Sequence, residues 1–348
     1  MLFAAKPKGI FIEFTDHSKR VVRANAAKPP LVIEEFGECE AADEEGWGEL
    51  YEHFLPKKAP NGLLQASCAV SPPGRLIRRA TIDPKKLKEP TYLNEFTASQ
   101  LRIQPDDYTL ALLNVKDGTE YNVSQATEKE VLIVGLPKAT IDSVQDQLVE
   151  DNIYPDRLEI GSLALLGGLV DFLKFAKISS PVVVLELEMD STHSFIVSAN
   201  GVEASRLLPQ GLKAMIPVVQ KELGLKDEES ARKLFFSNTF DFTGMGPTLI
   251  RRLLNELQSS IGFFEVQTGQ SISHVFCPKL SSKLEWLESV IGNQLSVPPL
   301  PMDLKPWLDS KGITFSPDAA EMDLTRNWFG VLSLMTRYDV VEEKEEKE

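Results

Sequence analysis

The strongest constraint on the fold is a pair of β-hairpins of one design, each opening one half of the 348-residue chain. The first runs from Gly9 to Phe14, crosses a polar turn at Thr15-Asp-His-Ser18, and returns near Arg20 to Ala24. The second is VVVLELEMDSTHSFIV, Val182 to Val197. In each, an apolar run enters an acidic residue and a polar turn before a second run returns, the pattern of two strands and a tight connection. Helical patterns follow both hairpins in corresponding places, which predicts two domains. The length agrees, because single hydrophobic cores stop growing near ~250–300 residues. Hairpins of this shape can hold phosphate when glycine in the turn lets backbone N–H groups approach an anion. Here Glu188 and Asp190 occupy that ground.

Several classes are disfavoured at once. The three cysteines, Cys39, Cys68 and Cys277, form no C-x-x-C pair, which argues against a disulfide framework and a zinc site and favours a reducing cytoplasm. The most apolar run, Leu163 to Val170, falls far short of the ~20 residues that cross a bilayer. MLFAAKPKGIFIEF reads as a first strand and not as a secretory signal, because charge interrupts its apolar run. A formal net charge of −14 opposes binding to nucleic acid and direct adsorption to an anionic lipid leaflet, so work at a membrane would need a partner to hold the chain there.

Along the chain, a helix is expected at Trp47–Phe54 after the acidic loop Glu40–Glu45, with strands at Leu64–Val70 and Leu76–Ile82 around the turn Ser71-Pro-Pro-Gly74. From Asp83 the texture changes. A helix at Tyr92–Leu101, strands at Tyr108–Val115 and Val131–Gly135, and a helix at Lys138–Asp151 with a return at Asn152-Ile-Tyr-Pro155 predict an inserted α+β subdomain over 83–151. Ser179-Ser-Pro181 marks the domain boundary after a helix at Ser162–Ala176. The expected division is a first domain over 8–178, a second over 181–338, and an acidic disordered tail over 339–348. The second domain carries helices at Pro217–Gly224, Glu228–Phe236 and Gly246–Phe264, a strand at Ser271–Cys277 and a helix at Lys279–Gly292.

Three stretches narrow the reading. EVLIVGLPKATIDSVQDQLVEDNIYPDRLEIGSLALLGGL, Glu130 to Leu169, resembles the type IV pilus assembly protein PilM family, as do ELQSSIGFFEVQTGQSISHVF, Glu256 to Phe276, and NWFGVLSLMTR, Asn327 to Arg337. The resemblance runs from Ile10 to Arg337, and FtsA-like proteins are similar at one remove. It implies a two-domain α/β fold of the actin/hexokinase type with an inserted subdomain in the first domain.

The departures from the family lie at the nucleotide positions. Its first phosphate hairpin aligns so that Glu13 stands for aspartate, Thr15 for glycine and Arg20 for lysine. In the second, Glu186 stands for aspartate and Glu188 for glycine. Only Gln210-Gly211 remains of the glycine pair after Arg206, the lysine of the α-helical motif falls at Leu234 or Phe235, and no glycine lies between Gly269 and Gly292, where the adenosine corner belongs. Two unit charges ~4 Å apart at an effective dielectric near 20 repel by roughly 4 kcal/mol, so Glu188 is costly beside a phosphate. No cofactor and no enzymatic activity are therefore expected. Against this, Glu13 and Glu186 retain the carboxylates that would organise a hydrated magnesium with ATP.

His193, near Thr192 and Asp190, has no implied third group for a catalytic triad and reads as a hairpin-tip histidine. His17, His53 and His274 are scattered and make no metal set. Gly167 and Gly168 suit close helix packing, with a peptide groove as the other reading. The resemblance implies a cytoplasmic pseudo-ATPase scaffold of a type IV pilus or type II secretion-like machine. It would be peripheral to the inner membrane through the N-terminal peptide of a PilN-like bitopic protein, bound between the first subdomain and the inserted one. Leu136, Ser162 and Leu166 are candidates for that groove by their place on the retained stretch. An ATP-binding switch or filament former, and a sugar-kinase-like transferase, remain the other readings.

Overall fold

The computed structural model describes residues 9–336 apart from Lys58, Pro60, Asn61, Pro90, Ala126 and Asn238, so residue 8 and the expected tail at 339–348 lie outside the described residues. The first hairpin is β1 (Gly9–Phe14) and β2 (Ser18–Ala24), antiparallel, with Glu13 opposite Arg20. Strand β3 (Leu31–Glu40) adds to β2, and after helix α1 (Glu44–Phe54) strand β4 (Leu64–Val70) runs parallel to β1 on its other side. Asp43 starts α1 by accepting the Gly46 N–H at 2.9 Å, and Glu44 and Glu45 suit the positive end of the helix dipole.

The chain then leaves this sheet and builds a smaller one from β5 (Leu76–Thr81), β6 (Tyr108–Asn114) and β7 (Glu130–Pro137), in the order β5-β7-β6, with the short helix α2 (Tyr92–Phe96) before β6. Ile82, Leu112, Tyr121, Val131 and Ile133 form its own core. Helix α3 (Lys138–Glu150) leads back to β8 (Ile153–Ile160), parallel to β4, and into α4 (Gly161–Phe175). These pairings correct the expected insertion of 83–151. Its first strand lies ahead of Asp83 because Leu76–Thr81 pairs along β7, and α3 belongs to the large sheet because Leu148 packs with Ile153 and Leu64.

The second domain repeats the plan. Strands β9 (Val182–Leu187), β10 (Thr192–Ser198) and β11 (Gly201–Leu208) form an antiparallel meander. Helices α5 (Ile216–Leu223), α6 (Glu228–Ser237), α7 (Gly246–Leu249) and α8 (Arg251–Thr268) follow. Then β12 (His274–Phe276) pairs parallel to β9, with α9 (Trp286–Leu295) beyond it. The order β11-β10-β9-β12 matches β3-β2-β1-β4, as a duplicated, two-domain actin-like fold requires.

The second domain does not extend to residue 338. After α10 (Leu304–Ser310), β13 (Ile313–Phe315) pairs parallel to β3 at the edge of the first domain's sheet, followed by α11 (Pro317–Ala320) and α12 (Phe329–Thr336). Helix α12 is apolar on nearly every side, so it needs surroundings that are apolar all round. It finds them beside α4, in a core that joins Phe11 and Val22 of one sheet to Val184 and Phe195 of the other. A methyl group on Gly168 would overlap Ser333 of α12, so that glycine serves the close approach of the two helices.

Candidate functional site

The carboxylates near the ends of the two hairpins, Glu13 and Glu186, lie close enough to repel one another, and each hairpin turn makes hydrogen bonds within itself. In the first, the Thr15 hydroxyl accepts the N–H groups of His17 (3.3 Å) and Ser18 (2.9 Å), while its own N–H donates to the Ser18 carbonyl at 3.0 Å. A threonine here does more than block a close approach, because its oxygen takes the amides that would otherwise point at an anion. Glu13 is buried at 2% exposure. It lies 3.7 Å from Arg20, near the start of α12, and its Oε2 has no hydrogen-bond partner. A Cβ on Gly330 would overlap the Glu13 carboxylate, so that glycine makes the room it sits in.

The second turn carries the denser charge. Glu186, on β9, is fully buried and receives Arg75 Nη2 at 2.8 Å, Lys279 Nζ at 2.9 Å and the Ser162 hydroxyl at 2.6 Å. Arg75 also pairs with Glu188 and donates through Nε to Ser162 at 3.0 Å. Lys279 reaches Ser71 at 2.8 Å. Burial alone would raise the Glu186 carboxyl, but Lys279 and Arg75, helped by His193 and the Ser162 hydroxyl, outweigh it and hold the group well below the usual carboxylate range. His193 is 3.9 Å from Glu188, and burial, then Arg75, push its pKa down to about 3, so the ring is neutral. Gln210 and Gly211 close the back of this turn: the Thr192 hydroxyl donates to the Gln210 carbonyl at 2.6 Å, and a side chain at Gly211 would strike the Glu188 and Met189 carbonyls.

A magnesium–triphosphate group asks for free turn amides and unpaired carboxylates; the amides around Thr15 and the Glu186 carboxylate are already engaged, while one oxygen of Glu13 has no hydrogen-bond partner. In the first turn the Thr15, His17 and Ser18 amides already have acceptors, in the second the Glu188 amide donates to the Ser191 carbonyl, and Glu186 already holds two cations. Among the described residues, no group of three or more His, Cys, Asp or Glu is placed to hold a metal ion. Cys68 and Cys277 are buried, and burial pushes both thiols up to about 12, which leaves them unreactive.

A second feature lies between the inserted sheet and α4. A cavity of about 310 Å³ is lined by Leu113 at the end of β6 and Val115 just after it, by Leu163, Leu166 and Val170 of α4, and by Leu132 of β7. A neighbouring cavity of about 630 Å³ runs along β8 past Ser67, Arg157 and Ile160. The two share Leu113, Gly118 and Leu163 and so form one groove. Its lining is mixed, with Lys116, Asp117, Asp171, Lys174 and Lys311 beside the leucines and valines.

The three residues proposed for a peptide site part company. Leu166 lines this groove but is only 3% exposed, as part of the shared core. Leu136 is half-buried on β7 opposite Thr109, and Ser162 belongs to the charge cluster in the cleft. Sequence reasoning missed Ser71, Arg75 and Lys279 as members of that cluster, because each lies in a loop and meets its partners only across the two domains. The weak signal for Arg75 was a cation directly after the turn Ser71-Pro-Pro-Gly74.

No protein-family model matches the chain, and no curated protein matches it. Among solved structures it is similar to one described as a PilM-PilN type IV pilus biogenesis complex, with 17% identity over 95% of this chain and 98% of that one, at a TM-score of 0.66. More distant likenesses are the ethanolamine utilization protein EutJ from Carboxydothermus hydrogenoformans, with 9% identity over 96% and 90% of the two chains at a TM-score of 0.47, and the cytoplasmic domain of EpsL from the type II secretion system of Vibrio cholerae, with 8% identity over 96% and 97% at 0.44. At 17% identity the first of these likenesses establishes the fold alone.

Proposed function

We propose that this chain is an actin-like scaffold of a type IV pilus or related secretion machine, which holds the N-terminal peptide of a PilN-like inner-membrane protein and works without hydrolysing ATP. The observation that carries the reading is the groove shared by Leu113 and Leu163, between the inserted sheet and α4, large enough for a short peptide and lined by apolar side chains with charged groups among them. The likeness to a structure described as a PilM-PilN complex supports the choice of partner. The partner would also hold the chain at the membrane. Among the described residues no helix is long and apolar enough to cross a bilayer, and a net charge of −14 opposes direct adsorption.

Fluorescence polarisation of a labelled N-terminal peptide from the PilN-like protein, titrated with this chain with and without ATP and magnesium, tests the reading. Saturable binding that ignores nucleotide is the expected result. Binding that appears only with ATP would favour an ATP-dependent switch, the reading that the retained carboxylates of Glu13 and Glu186 leave open. An absence of binding in both arms would defeat the choice of partner.

A further inference from the structure

We propose that Arg75 and Lys279 form an internal lock that holds the two domains closed in the place where a nucleotide would otherwise bridge them. The arrangement is reciprocal. The first domain sends Arg75 into Glu186 and Glu188 of the second, and the second sends Lys279 onto Ser71 and Ser162 of the first. The four charged side chains sum to zero, and three of them are nearly or fully buried, Arg75 at 3%, Lys279 at 6% and Glu186 at 0% exposure. Both ends of the bridge therefore exist only while the domains are closed. Opening them would leave Glu186 with Lys279 alone and Arg75 with no carboxylate, which buried ion pairs resist strongly. A triphosphate entering between the domains would add negative charge to a balanced set and would compete with the Arg75 pairs at the second turn, while at the first turn Thr15 already accepts the His17 and Ser18 amides. The exposed pair between Lys283 and Glu40, 2.6 Å apart, spans the same cleft at its rim and adds little by itself. The lock needs no peptide in the groove and stands or falls separately from the choice of partner.

Spin labels at Glu52→Cys on α1 and Lys221→Cys on α5, in a Cys39→Ser background, report the distance between the domains. The lock requires one narrow distance distribution that millimolar ATP and magnesium leave unchanged. Arg75→Met combined with Glu188→Gln removes one cation and one anion while keeping the Lys279–Glu186 pair. It should broaden the distribution and lower amide protection in the Glu188–Ser191 turn by ~10–100-fold. A wild-type distribution that shifts or narrows with ATP would overturn the proposal. So would a folded double variant with unchanged distances and protection. If the double variant does not fold, the wild-type ATP arm and Arg75→Lys, which keeps the charge and should stay narrow, still decide.

Discussion

Arg75, in the turn that leads from the large sheet into the inserted subdomain, donates to Glu186 of the opposite domain at 2.8 Å, and both side chains are buried. Removing one partner of such a pair leaves the other without its counter-charge in a poorly solvated site. Arg75→Met should therefore cost about 3–5 kcal/mol in urea unfolding. Adding Glu188→Gln should recover part of the loss, because one unpaired carboxylate is neutralised, and strictly additive costs would show that the residues do not act as a unit.

Acid should weaken the fold through the same cluster. The pKa of His193 falls from an ordinary 6.5 to about 3 on folding, so its neutral form contributes stability that is intact above pH 6.5 and is lost as pH falls toward 3. Glu186, held below its ordinary 4.5, acts in the same direction from that pH downward. Unfolding free energy between pH 7.5 and 4.5 should drop with a slope approaching about 1.4 kcal/mol per unit below the histidine's ordinary pKa. His193→Gln should flatten that part of the profile, and an equal slope in the variant would place the titrating group elsewhere.

Glu13 should behave in the opposite sense. Burial raises its carboxyl pKa despite Arg20 and Lys279, so its contribution is full below the ordinary 4.5 and is lost as pH rises through the folded value. Glu13→Gln should raise the urea midpoint at pH 8, with the gain fading below about pH 4.5. Gly330→Ala, which drives a methyl into the same carboxylate, should cost about 1–3 kcal/mol as an overpacked site. A neutral Gly330→Ala would mean that the Glu13 side chain moves aside freely.

How legible the molecule was follows from where its information lies. The hairpins β1–β2 and β9–β10 were readable because their alternation and turns are local, and with them came Thr15 and Glu188 at the two turn positions. Strand β8 was read only as a return, because Pro155 cannot donate to a ladder; the structure absorbs it with a register shift opposite Ala66–Ser67 on an edge strand. The placement of β13 and α12 against the first domain is a contact over hundreds of residues, which no local period encodes. The lock was hidden for the same reason, since Arg75 and Glu186 meet only after both domains have folded.

On the groove, α4 separates two neighbouring leucines. Leu163 is half-buried and shared by both cavities, so Leu163→Glu should weaken peptide binding at least ~10-fold while changing stability by no more than about 0.5 kcal/mol. Leu166 is core as well as wall, and Leu166→Asp should instead destabilise the fold by about 2–5 kcal/mol. Polarisation titrations and urea melts of the two variants separate these effects, and wild-type affinity in a folded Leu163→Glu protein would put the peptide elsewhere.

Hydrogen exchange with and without the PilN-like N-terminal peptide tests most directly the claim that the chain works through its groove and not through its nucleotide-type cleft. Added protection is expected at Leu113–Gly118 and Leu163–Val170, where the two cavities meet α4 and the end of β6, with the turns at Thr15–Ser18 and Glu188–Ser191 unchanged. Protection confined to those two turns, or protection of the groove by ATP and magnesium without peptide, would contradict it.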